Sequence, residues 1–270
     1  MAGPTVKLAA AQMLVEGGQV ARNLGRAAAM IREAARCGCQ IVVLPECLDV
    51  GWTHPAARAE AEPIPGSRTQ RLRQAAAEAG VVVCAGLTER EKERIYNAAV
   101  LIDGQGRLLL KYRKINELEV ALDLYDVGDR LGVARTPVGC IGVDICADNF
   151  PNAPEIGSTL GRMGAQLLLS PSAWAVEAGY DQRATPYGQL WRDAYRALAT
   201  RFHMAVVGAS NVGPIAAGPW AGRQCIGCSL VVDADGNVVI MGPYAEESLV
   251  VAEVRLSENQ PKGTRISGMM

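Results

Sequence analysis

Histidine is nearly missing from this chain of 270 residues, which has only His54 and His203. That scarcity narrows the chemistry. A Cys–His pair needs an imidazole beside the thiol, and a metal centre with so few imidazoles would have to rest on cysteines. An excess of either charge is also lacking: the formal net charge is −1, and Lys and Arg are spread along the chain. No basic stripe invites a nucleic-acid backbone, so no nucleic-acid partner is expected. Every apolar run falls short of the roughly 18 residues of a membrane helix, so no membrane role is expected either. Met1 to Ala11 enters a strand-like pattern directly, without a charged-then-apolar leader, which makes the cytoplasm the expected address. GxxxxGK[ST] and strand-GxGxxG fingerprints are absent, leaving nucleotide binding unsupported. No Pro/Ser-rich linker divides the chain, so residues 1–270 are expected to form a single domain with a C-terminal tail from about 256.

What is present suits a large core: 49% of residues are hydrophobic and 20% charged. There are eight cysteines. An even count invites a disulfide reading, but that logic belongs to small secreted chains, and most of these thiols sit among apolar or small residues as compact hydrophobes. They are read as reduced. Cys225-Ile226-Gly227-Cys228 has CxxC spacing, yet no second pair completes a metal site, and its small apolar neighbours point to packing.

Short apolar runs alternate with Ala/Arg-rich stretches of helical period. Strands are expected over 6–12, 41–44, 81–87, 166–170, 205–210 and 248–254. Helices are expected over 23–37, 68–79, 154–163 and about 187–202. Two hairpins stand out, VLIDGQGRLLL and LVVDADGNVVI, and their shared pattern hints at two equivalent halves. Hairpins mixed with helix crossovers imply a mixed sheet within an α/β, layered α+β architecture.

Three segments each set a reactive side chain just beyond an apolar strand, where ligand sites gather. In Ile41–Glu46, a carboxylate follows a fully apolar run and Pro45. Such a group carries a desolvation cost unless paired, and burial moves it towards proton-transfer duty. Alone, Glu46 reads equally well as a surface carboxylate in a turn. In Leu109–Lys114, the cations resemble a solvated rim, but carboxylates follow at once in Glu117 and Glu119. A Lys held by a neighbouring Glu stays charged and can face developing negative charge. In Ile141–Pro151, a strand runs into Cys146 and a turn, as in a nucleophile elbow; the alternative is a core cysteine at a strand end.

Together these segments resemble the nitrilase superfamily of carbon–nitrogen hydrolases. The likeness covers nearly the whole chain: LPE at 44–46, YRK at 112–114 and ICADNFPN at 145–152, supported by GAQLLLSPSAW at 164–174, VVGASNVG at 206–213 and GCSLVVDADGNVV at 227–239. The resemblance implies a four-layer α-β-β-α sandwich, a homodimer or higher homo-oligomer, and neither metal nor organic cofactor. It implies Cys146 as nucleophile, Glu46 as general base and then acid, and Lys114 as the charge that stabilises the tetrahedral intermediate. Two departures stand out. Ala121 occupies the position matched to the family's second glutamate, a place that Glu117 (or Glu119) can fill from elsewhere in the loop. The RAxEN helix segment reads Arg196-Ala197-Leu198-Ala199-Thr200 here.

The expected reaction is hydrolysis of a small amide through a Cys146 thioester, with the carbonyl oxygen held by Lys114 and the Ala147 backbone N–H. Asn149 and Trp174 are expected at the substrate, and Glu177, Tyr180, Asp181, Arg183, Asn211 and Trp220 are further candidates. Nitrile or N-carbamoyl substrates are the near alternatives. The position where the chain stops, soon after the 248–254 strand, favours an ω-amidase-like or other aliphatic amidase role. More distant readings are a Cys–His hydrolase using His54 and an idle binding module on the same scaffold.

Overall fold

The computed structural model describes residues 3–258 and 263. Most of the tail expected from about 256 lies outside the described residues. In chain order the first half holds β1 (Thr5–Gln12), α1 (Val20–Arg36), β2 (Ile41–Val43), the short α2 (Ala57–Glu60), α3 (Ser67–Ala79), β3 (Val82–Glu91), β4 (Arg94–Ile102) and β5 (Leu108–Arg113). The second half holds β6 (Val133–Thr136), β7 (Gly139–Val143), α4 (Glu155–Arg162), β8 (Leu167–Ser172), β9 (Ala175–Val176), α5 (Gln189–Phe202) and β10 (Ala205–Ser210). It continues with β11 (Val212–Pro214), β12 (Gln224–Ile226), β13 (Leu230–Val232), β14 (Val238–Met241) and β15 (Ser248–Arg255).

Two six-stranded sheets result, ordered β15-β1-β2-β3-β4-β5 and β14-β13-β10-β8-β7-β6. Side chains alternate along the strands, so each strand feeds two cores. In β1 and β2, Leu8, Ala10, Ile41 and Val43 join the core shared by both sheets, whereas Ala9, Ala11 and Val42 face the helices α1 and α3. Strands covered on both faces read as continuous apolar runs, which is why 41–44 shows no polar alternation. Helix α1 buries Leu24, Ala27, Ile31 and Ala34, a spacing that keeps one stripe against the sheet. Helices α4 and α5 cover the second sheet through residues such as Leu160, Leu198 and Phe202. The architecture is the four-layer α-β-β-α sandwich.

The halves match strand for strand. β1, β2 and β3 are parallel neighbours followed by antiparallel β4 and β5; β7, β8 and β10 are parallel neighbours followed by antiparallel β13 and β14. Both hairpins turn in the same way. Asp103 Oδ1 accepts from the N–H of Gln105 and Arg107, and Asp233 Oδ1 from the N–H of Asp235 and Asn237. Gly106 and Gly236 then take φ of 76° and 86°, a region that side chains disfavour. What breaks the correspondence is a small third sheet, β11-β12-β9, which is inserted only in the second half.

The hairpin of β6 and β7 was not expected from sequence, because Thr136-Pro137-Val138-Gly139 interrupts the apolar pattern. β3 and β4 also run longer than expected, meeting at an exposed turn around Lys92 whose charged flanks hide the pairing. Close packing fixes one further residue. A Cβ on Gly86 of β3 would come within 2.5 Å of the Glu46 Cα and 2.6 Å of the Pro45 carbonyl oxygen. Gly86→Ala is therefore expected to destabilise the fold by about 1–3 kcal/mol and to displace Glu46. Denaturant unfolding checks the first effect, and loss of turnover checks the second.

Candidate active site

Glu46, Lys114 and Cys146 each follow a strand that ends on the same side of the sandwich. After β2, Pro45 stops the run. Glu46 N–H then donates to the Ser172 carbonyl at the end of β8, 3.2 Å away, which ties one sheet to the other. Cys47 turns the chain with φ of 44°. The Glu46 side chain is 1% exposed. Its Oε1 accepts from Lys114 Nζ at 2.7 Å and from Asn97 Nδ2 at 2.6 Å.

Lys114 continues β5 by one residue, its N–H bonded to the Asn97 carbonyl on β4 at 2.8 Å. The ammonium is as buried as its partner, and Glu117 Oε2 lies 3.7 Å from it. Burial alone would push the ammonium down, but the Glu46 and Glu117 carboxylates outweigh it and hold Lys114 well above its ordinary range. The lysine is a fixed cation.

Cys146 stands three residues beyond β7 with φ of 46°, the opening residue of a 3-10 turn through Asn149. Its N–H donates to Ser170 Oγ at 3.1 Å. The Asp148 carboxylate fixes this turn against the lysine segment: it accepts from Ile145 N–H, from Asn116 N–H and from the Tyr112 hydroxyl. Burial raises the Cys146 thiol above its ordinary value, the Glu46 charge raises it further, and Lys114 opposes both. The resting group is a protonated thiol that needs a base to become a nucleophile.

The three side chains line one cavity of about 410 Å³, within the range of small-ligand sites. Ala147 and Trp174 line it too, as do Tyr180 and Trp220. Asn149 does not. Its amide donates to Asp144 Oδ1 and Ser170 Oγ at 2.8 and 3.0 Å, so it braces the Cys146 turn from behind. Glu177 pairs with Arg223, Asp181 caps the backbone of Arg183 and Ala184, and Asn211 lines a separate recess with His54; none of these, nor Arg183, reaches the cavity wall. Neither histidine lines it, so the Cys–His arrangement is not assembled. Of the two loop carboxylates, Glu117 turns inward with a fully buried side chain, whereas Glu119 is exposed. Ala121 packs into a satellite core. Cys225 and Cys228 are buried free thiols.

Sequence reasoning missed Asn97, Tyr112 and Asp148, whose side chains hold the reactive groups, because mid-strand or turn polar residues carry no spacing signal. It also missed Trp52, Phe150 and Trp191 as cavity wall, whereas Tyr187 ends the 175–187 stretch expected to line it.

This geometry has relatives. The sequence pattern of the family described as carbon-nitrogen hydrolase matches residues 7–262. The chain belongs to the carbon–nitrogen hydrolase family. It is 30% identical over 244 residues to the omega-amidase NIT2 of Xenopus tropicalis, covering 87% of this chain and 83% of that one. It is 32% identical over 257 residues to a nitrilase of Pyrococcus abyssi (strain GE5 / Orsay), covering 93% and 90%. The crystal structure of Saccharomyces cerevisiae Nit3, a member of branch 10 of the nitrilase superfamily, superposes with a TM-score of 0.80 at 24% identity, covering 94% of this chain and 91% of that one. As a member of that family, this chain is a carbon–nitrogen hydrolase. Among its described residues, no helix is long and apolar enough to cross a membrane.

Burial raises the Glu117 carboxyl from its ordinary 4.5 to about 8, against the pull of Lys114. The folded hydrolase keeps this proton where the unfolded chain has lost it. The associated stability is thus full below 4.5 and is lost as pH rises through about 8. Glu117→Gln removes that dependence. Its melting temperature minus that of the wild type is expected to be more positive on the alkaline side of 8 than on the acid side of 4.5.

Proposed function

We propose that this hydrolase, acting as one domain, cleaves a small primary amide through a thioester on Cys146. The observation that carries the reading is the convergence of a thiol, a carboxylate and a fixed ammonium on one cavity, with Glu46 and Lys114 paired at 2.7 Å. Glu46 takes the thiol proton as the sulfur lone pair forms a bond to the amide carbon. The carbonyl oxygen becomes an oxyanion beside the Lys114 ammonium and the Ala147 N–H. Glu46 then passes the proton to the leaving nitrogen, the C–N bond breaks, and ammonia departs. Water attacks the thioester while Glu46 accepts its proton; the C–S bond breaks, the thiol is reprotonated, and a carboxylic acid leaves. One amide and one water are consumed, and no redox partner is involved.

Glu117 acts through Lys114. Protonated near neutrality, it leaves Glu46 as the carboxylate that balances the ammonium, so the pair stays close to net neutral inside the core. Asn97 donates to the same Glu46 Oε1 at 2.6 Å and so holds it in place beside the lysine.

Cys146→Ala is expected to abolish ammonia release with the fold retained. Lys114→Met is expected to lower kcat by about 10²–10³-fold, the usual loss for one oxyanion donor. Intact-mass spectrometry of wild-type enzyme quenched during turnover should show an acyl adduct that is missing in Cys146→Ala. Turnover by Cys146→Ala near the wild-type rate would remove the reading. Nitrile and N-carbamoyl compounds offered alongside amides distinguish the reaction types, scored by ammonia release.

A further inference from the structure

The chain contains four tryptophans, Trp52, Trp174, Trp191 and Trp220, and all four line the cavity above Cys146. They arrive from separate places: the loop after β2, the end of β8, the first turn of α5, and the tip of the β11–β12 hairpin. Phe150 and Tyr187 complete the wall. Trp191 stacks on Trp174 at 4.9 Å and on Phe150 at 5.3 Å, with interplanar angles of 17° and 23°. Trp52 and Trp220 meet edge to face at 4.8 Å.

The charge distribution is one-sided. Among the described residues, Glu46 and Lys114 are the only charged side chains on the cavity wall, both at the reacting end. Arg223 lies 4.1 Å over the Trp220 ring, but it does not line the cavity and is paired with Glu177. Among the described residues, the buried indole N–H groups of Trp52 and Trp174 have no acceptor. Such donors accommodate a neutral oxygen and do not neutralise a carboxylate. Nor is the wall arranged for a cation. Trp191 stacks on both Trp174 and Phe150, and Arg223 already sits over Trp220.

We propose that this wall is an acyl-selecting pocket and that the preferred substrate is a primary amide of an uncharged aryl or bulky apolar acid. The proposal rests on the hydrolase reading above. Specificity comes from removing the acyl tail from water, and a tail charged at its far end must shed its hydration with no opposite charge at that end of the pocket.

The test uses the full chain with four primary amides: acetamide, 3-phenylpropionamide, succinamic acid, and 4-(trimethylammonio)butyramide. The expected result is a kcat/KM for 3-phenylpropionamide at least about tenfold above acetamide and roughly 100-fold above either charged amide. Faster turnover of succinamic acid or of the trimethylammonium amide overturns the pocket assignment. Trp220→Ala is expected to shrink the ratio of 3-phenylpropionamide to acetamide by about tenfold, with Trp220→Phe restoring most of it. An unchanged ratio in Trp220→Ala also overturns the assignment. Binding to Cys146→Ala, followed by tryptophan fluorescence, separates the pocket from the chemistry. Tightest binding of 3-phenylpropionamide with a spectral shift supports the pocket even where the wild type releases no ammonia, an outcome that removes the hydrolase reading alone. Tighter binding of a charged amide, or no spectral shift, overturns the pocket.

Discussion

An ammonium buried in the middle of a protein sets the terms for everything around it. Lys114 is 1% exposed and has Glu46 at 2.7 Å and Glu117 at 3.7 Å. Removing such a charge from water is costly, and the fold tolerates it because residues on neighbouring strands hold the Glu46 carboxylate against it. Asn97 orients Glu46 from β4, β8 anchors the Glu46 backbone, and Asp148 ties the lysine segment to the cysteine turn. A rigid dipolar pair is thus present before any substrate arrives. A developing oxyanion meets a field that needs little rearrangement, which is where most electrostatic catalysis originates.

The two matching halves divide the labour unequally. The shared plan of three parallel strands and a hairpin supplies the scaffold and brings strand ends to one side. Glu46 and Lys114 come from the first half and Cys146 from the second, so neither half holds the reactive set alone. Much of the cavity wall, by contrast, comes from what the halves do not share. The third sheet and the segment leading into α5 contribute Ala175, Tyr180, Tyr187 and Trp220. The proposed reactive set is built on the common frame, and the insertion adds part of the wall proposed to select the substrate. Loops can vary without moving the nucleophile.

Much of this was legible in the residues. The apolar runs, the alternating helices and the paired Asp-x-x-Gly turns each report a local preference, and β10 falls at 205–210 as the β-branched run implies. The strand-end positions of Glu46, Lys114 and Cys146 were also readable, although each alone fitted an ordinary surface or core role and only the three segments together pointed to a site. What escaped reading depends on tertiary direction. Glu117 and Glu119 are two residues apart in one loop, and only the backbone path decides that the first turns inward. Asn149 sits three residues from Cys146, yet the 3-10 turn points it to Asp144 and away from the cavity. The aromatic wall joins residues spread from 52 to 220, and no local period encodes such a meeting.

The last strand of the structure has a consequence for how the chain is made. β15 pairs with β1 over eight residues, Thr5 opposite Arg255 through Gln12 opposite Ser248. During synthesis β1 therefore waits for β15, its outer edge unsatisfied while more than 230 residues are added between them. An open strand edge is a template for pairing with other chains. Until β15 arrives, the outer side of β1 is thus open to association with neighbouring chains.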